Sequence, residues 1–277
     1  MMNILSPHLD NGTFEHFVRR QKDDGANFVY LYTMNEKDGG WTPYSPYVGN
    51  NIGQQLDDNI VEMYEERMKH IRGEGMGIII WLRADDSPHF NRASTGDSVD
   101  PKLSIMSDVP NLGNGGIRFN ATATPRQEQY QRDMVDLFDK YASAYFVGLE
   151  LDEYYGSGDV NHYANQLQGL TDKPILSHQK PGKDDFGTLP TIDAIGYQYG
   201  FGKSEAYVES QTAKVIVRMG GKPVYAVEYH KSSDDPTAKA LGDAAMRGGA
   251  AGTGNNRNNP PDVGTIDEIM GFLSTLF

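Results

Sequence analysis

"MGIIIWL", residues 76–82, is the stretch on which the fold turns. A nearly unbroken apolar run of this length is expected of a parallel strand covered on both faces, because a half-solvated strand would alternate. The flanking chain fits that reading. Before it, "LDDNIVEMYEERMKHIRGEG" (56–75) spaces Ile60, Tyr64, Met68 and Ile71 at helical intervals. After a long polar stretch comes "TPRQEQYQRDMVDLFDKYAS". Thr124 is suited to N-cap it, Pro125 to take its first turn, and Met134, Leu137, Phe138 and Tyr141 to form an apolar stripe.

The same alternation runs outward to both ends. Strands are expected at 2–7, 26–34, 76–82, 145–151, 173–178, 192–200, 222–230 and 250–254. Helices are expected at 13–25, with Thr13 as N-cap, and near 160–170, 204–221, 235–249 and 264–277. Strands alternating with helices imply a parallel sheet with helices outside. Eight such repeats favour an α/β fold of the (β/α)8 TIM-barrel type, with residues 1–277 as one domain. An open sheet of six or seven strands is the structural alternative. No G-x-G-x-x-G follows an early strand, so a dinucleotide-binding version has no support. Residues 84–123, after the third strand, are rich in Asp, Asn, Ser and Gly and form the one long loop. That loop could roof a cleft or be a plain surface excursion.

Composition narrows the partners. A net charge of −13 disfavours nucleic acid and anionic membrane surfaces, which need basic contacts. No apolar run is long enough to span a bilayer. With no cysteine, thiolate nucleophiles, disulfides and zinc–thiolate sites are excluded together. The N-terminal "MMNILSPHLD" shows no basic and apolar signal-peptide pattern, which leaves extracellular or virion-associated action open. The oligomeric state is not legible.

A barrel of this type carries its site at the C-terminal ends of its strands. Those ends supply Trp81 and Arg83 (third strand), Glu150, Asp152 and Glu153 (fourth), Ser177 and His178 (fifth), Tyr197, Gln198 and Tyr199 (sixth), and Glu228, Tyr229 and His230 (seventh). Three carboxylates within four positions are costly at the end of a buried strand unless they meet solvent or line a site. Structural readings stand beside the functional ones. Glu228 could pair with Arg83, Glu150 could point away from Glu153 or pair with a neighbouring strand, and Trp81 and Tyr229 could be core.

"ELDEYYG" (150–156) and "KPVYAVEYH" (222–230) together resemble the retaining glycosidase superfamily that includes cellulases, mannanases and β-galactosidases. In that family the fourth strand ends in Asn-Glu and the seventh carries a second Glu. "RGGAAGTG" (247–254) is similar to the family's passage into the eighth strand. The resemblance implies that Glu153 is the acid/base and Glu228 the nucleophile of a retaining hydrolase acting on a poly- or oligosaccharide, with no cofactor and no metal. It implies sugar contacts from Trp81, Arg83, Asp152, His178, Tyr197, Gln198, Tyr229 and His230, and a Tyr197 or Tyr199 hydroxyl holding Glu228 ionised. Three positions depart from the pattern. Asp152 replaces the Asn, "NFVYLYTMNE" (27–36) lacks the usual Arg, and "GTGNN" (252–256) lacks the usual Trp. Retaining chemistry needs its two carboxyl groups about 5–5.5 Å apart, one protonated and one ionised. Two other classes stay open: a metal-dependent barrel hydrolase or lyase using His178, His230 and the carboxylates of the fourth strand, and a carbohydrate-binding barrel without turnover.

Overall fold

The computed structural model describes residues 5, 7, 9–23, 26–33, 46–48, 55–82, 125–148, 156–180, 186–200, 202–227, 236–254 and 271–272. Seven strands among them run parallel in chain order: β1 (Phe28–Tyr32), β2 (Gly77–Trp81), β3 (Ala144–Phe146), β4 (Ile175–Gln179), β5 (Ala194–Gln198), β6 (Val224–Val227) and β7 (Gly252–Gly254). A two-residue strand, β8 (Gly271–Phe272), pairs antiparallel with both β7 and β1 and closes the barrel. The helices are α1 (Asn11–Asp23), α2 (Asp58–Gly73), α3 (Pro125–Phe138), α4 (Ser157–Gln168), α5 (Glu205–Arg218) and α6 (Pro236–Arg247). This is the α/β barrel expected from the apolar run at residues 76–82, whose strand β2 is buried along its whole length.

The closure differs from expectation. Of the expected first strand, residues 2–7, the described members are Leu5 and Pro7, and both lie in turns. Pro7 has no N–H for a ladder, and Leu5 is instead buried in the core. The barrel position beside β1 is filled by Gly271 opposite Phe28, inside the stretch expected to be a final helix. A mid-helix Gly costs about 1 kcal/mol relative to Ala, which weakens helix there. The first helix also starts earlier than expected. Asp10, not Thr13, caps it: the Thr13 N–H and hydroxyl donate to its carboxylate at 2.9 and 2.7 Å, and the Phe14 N–H donates to its carbonyl. Between β4 and β5 the described residues 186–191 form turns rather than a helix. Lys222 Nζ pins that segment by donating to the carbonyls of Gly187 (2.8 Å) and Leu189 (2.7 Å).

Period two along each strand splits the apolar residues into two cores. The helix-side core joins Ile78, Ile80, Tyr145, Val147, Ile195, Tyr197 and Ala226 to the buried faces of the helices. The barrel interior holds Ile79, Trp81, Ala144, Phe146, Leu176, Ala194, Tyr225 and Val227, with Phe28 and Tyr30 against them. Each fully buried aliphatic side chain contributes about 1.5–3 kcal/mol of transfer free energy. Gly75, at φ 79°, turns the chain from α2 into β2, a left-handed conformation that a side chain would strain.

Candidate active site

Aromatic rings fill the interior near the C-terminal strand ends. Trp81, closing β2, stacks on Phe146 of β3 with ring centroids 3.9 Å apart and 13° between planes. Tyr30 of β1 tilts against both, at 5.9 and 6.1 Å. His178 of β4 meets the Trp81 ring edge-on at 5.3 Å and the Phe146 ring at 6.5 Å. Both Trp81 and His178 are buried. The ladder explains the grouping. Trp81 is in register with Phe146, Phe146 with Leu176, and His178 with Gly196, so all lie on the interior face.

Gly196 is empty because its neighbours fill it. A Cβ there would lie 2.7 and 2.9 Å from Phe146 ring carbons and 3.3 Å from the His178 ring. Two residues on, Gln198 shares the interior face and is in register with Val227, while Tyr225 is in register with Gly196. Gln198 Oε1 and the Tyr225 hydroxyl are buried and have no hydrogen-bond partner among the described residues. Burial pushes the Tyr225 phenol above its ordinary value of 10.0, so it stays a donor across the working pH range.

Hydrogen bonds brace the strand ends from outside. The Leu82 N–H donates to the Phe146 carbonyl at 3.2 Å, and the Val147 N–H to the Leu176 carbonyl at 2.9 Å. The Tyr130 hydroxyl of α3 donates to the Leu82 carbonyl at 2.8 Å and is bonded to the Thr33 hydroxyl beyond β1. α4 begins with the Gly156 N–H donating to Asp159 Oδ2 at 3.0 Å. Burial holds the Asp159 carboxyl above its ordinary 3.8, against the Gly156 hydrogen bond and the nearby His162, which pull it down.

Of the residues expected at the site, the structure brings Trp81, His178 and Gln198 to the barrel interior. Tyr197 is not among them. It lies in the helix-side core, edge-on to Tyr199 at 5.0 Å, and the Tyr199 hydroxyl is bonded to the Thr212 hydroxyl of α5. The strand period gives the reason: with Gly196 and Gln198 facing inward, residues 197 and 199 face outward. Arg83, Glu150, Asp152, Glu153, Glu228, Tyr229 and His230 lie outside the described residues, as does the stretch 84–123. Their places in the chain are nonetheless plain. β6 ends at Val227, immediately before Glu228, and the segment 149–155 follows β3 before α4 starts. Strand-end reasoning missed Tyr30, Phe146, Gly196 and Tyr225; period two counted from Gln198 selects Gly196, whereas Tyr30, Phe146 and Tyr225 need the ladder between strands. Among the described residues no group of three or more His, Asp or Glu side chains is placed to hold a metal ion. No helix among them is long and apolar enough to cross a membrane.

No family model and no curated protein matches the sequence. Solved structures do match, and they are similar in fold. A glycoside hydrolase family 5 structure from Bacteroides vulgatus superposes with a TM-score of 0.61 at 12% identity, covering 90% of this chain and 55% of that one. This chain therefore spans little more than half of that protein's length. A glycoside hydrolase family 5 mannosidase from Rhizomucor miehei gives 0.63 at 10% identity, over 96% of this chain and 83% of the other. An endo-1,4-beta-D-mannanase from Thermotoga petrophila gives 0.59 at 12%, over 96% and 91%. The likeness is to glycoside hydrolases of family 5, over most of the chain, and at these identities it defines a TIM-barrel fold.

Proposed function

We propose that this protein is a glycoside hydrolase that cleaves a poly- or oligosaccharide with retention of configuration. Glu228 is the nucleophile and Glu153 the acid/base. The observation that carries the reading is the barrel itself. Its fold is similar to that of family 5 enzymes, and the two carboxylate-bearing segments follow β3 and β6, three strands apart around the ring. The barrel interior beside those strands holds Trp81 of β2, Phe146 of β3 and His178 of β4, and aromatic rings suit the apolar faces of sugar rings. Arg83, Asp152, His178, Gln198, Tyr229 and His230 complete the proposed sugar contacts, with Trp81 backing them. The chain is read as a single barrel domain.

In this scheme Glu153, held protonated by neighbouring negative charge, gives its proton to the leaving oxygen. Glu228, ionised, attacks the anomeric carbon and forms a glycosyl-enzyme, which water activated by Glu153 then releases. No cofactor takes part.

Reducing-sugar release from mannan, cellulose and galactan tests the reading. Glu228→Gln should abolish turnover and trap no intermediate. Glu153→Gln should slow natural substrates by roughly 10²–10⁴-fold. It should spare the first step for aryl glycosides with good leaving groups, and added azide should restore part of the turnover. If Glu150→Gln shows the azide rescue and Glu153→Gln does not, the acid is Glu150.

A further inference from the structure

Among the described residues, two polar atoms of the barrel interior, the Tyr225 hydroxyl and Gln198 Oε1, have no hydrogen-bond partner. The Tyr225 hydroxyl is fully buried, Gln198 is 6% exposed, and no described residue bonds either the hydroxyl or Gln198 Oε1. A buried polar atom without a partner is destabilising, so an interior that keeps two needs a reason. They are neighbours. Gly196 pairs with Tyr225 and Gln198 with Val227, so the two side chains sit diagonally on adjacent strands and share the interior face. Strand spacing and rise put their Cα atoms about 8 Å apart. Their chemistry is complementary: one is a phenol with a proton to give, the other a carbonyl oxygen ready to accept. The ligand group that satisfies both at once is a hydroxyl, which accepts from the first and donates to the second.

We propose that Tyr225 and Gln198 together receive one hydroxyl of the bound sugar, making Tyr225 a specificity-determining residue on the floor of the site. This rests on the carbohydrate reading above and deepens it. Tyr225 lies three residues before Glu228, and Gln198 closes the neighbouring strand, so the bound hydroxyl belongs to the sugar unit deepest in the barrel. Gly196 keeps the row between His178 and Tyr225 free of a side chain of its own.

The test is calorimetric titration of the full chain, carrying Glu228→Gln to stop turnover, with mannohexaose, cellohexaose and galactohexaose. Tyr225→Phe and Gln198→Met are added singly and together. In the sugar that binds best, each single substitution should weaken binding roughly tenfold. The double substitution should cost clearly less than the product of the two, because one hydroxyl serves both groups. Thermal midpoints of the free Tyr225→Phe chain should be unchanged or higher, since the lost hydroxyl has no partner to miss. Unchanged affinity in Tyr225→Phe overturns the inference and leaves the carbohydrate reading standing, and so do fully multiplicative losses. A parent chain that binds none of the three overturns the carbohydrate reading and the inference with it.

Discussion

Gly196 shows how one residue fixes the shape of the interior. Its missing side chain is the space that Phe146 occupies, and Phe146 has no room to retreat because Trp81 is stacked at 3.9 Å on its ring. Gly196→Ala should therefore overpack the interior and destabilise the fold by about 1–3 kcal/mol. Urea unfolding checks this, and an unchanged midpoint would mean that the stack yields easily. His178, at the other edge of the same space, should report the displacement as a changed imidazole NMR shift. At this scale the sequence was only half legible. The positions of His178 and Gln198 at strand ends follow from counting elements. Their shared face, and the opposite face of Tyr197, follow only from parity within each strand, and parity needs a boundary known to one residue. The run "IGYQYG" (195–200) puts Ile195, Tyr197 and Tyr199 on one face and Gly196, Gln198 and Gly200 on the other, and since strand β5 is buried on both faces, hydrophobicity alone does not say which one looks into the barrel.

Elements carry the strand ends to where chemistry is proposed. α4 starts directly after the segment that holds Glu150, Asp152 and Glu153, and its first turn depends on Asp159 accepting from the Gly156 N–H. Burial raises the Asp159 carboxyl above 3.8, so the folded chain holds that proton more tightly than the unfolded chain does. The resulting stabilisation is complete below the unfolded value and is lost as pH rises through the folded one. Asp159→Asn keeps an oxygen for Gly156 and removes the ionisation. Wild-type stability minus variant stability should accordingly fall as pH rises from about 3 to about 7, measured by urea denaturation at each pH. A difference that is flat or rises over that span would contradict the assignment. Elements were the most legible level. The helices at α2, α3, α5 and α6 announce themselves through spaced apolar residues, and β2 through its unbroken apolar run. The closing strand was illegible for a physical reason: two residues have no periodicity, and their pairing with Phe28, Thr253 and Gly254 is entirely long-range.

The whole molecule is a barrel whose helix-side core is conventional and whose interior is unusually aromatic and polar. Tyr30, Trp81, Phe146, His178, Gln198 and Tyr225 stand where many barrels place layers of branched aliphatic side chains. That composition gives up some packing stability for a lined floor, as expected where function rather than folding sets the residues. The barrel is similar in fold to family 5 glycoside hydrolase structures, and the proposal made on that fold stands or falls on whether Glu228 carries the covalent step. The direct measurement is intact and peptide mass spectrometry after incubation with activated 2-deoxy-2-fluoro glycosides of mannose, glucose and galactose, which form the glycosyl-enzyme but release it slowly. The account predicts one added sugar per chain, on the peptide containing Glu228, and none on the Glu228→Gln chain. A chain that hydrolyses a polysaccharide yet carries no label, or carries it on Glu150 or Glu153, would contradict it.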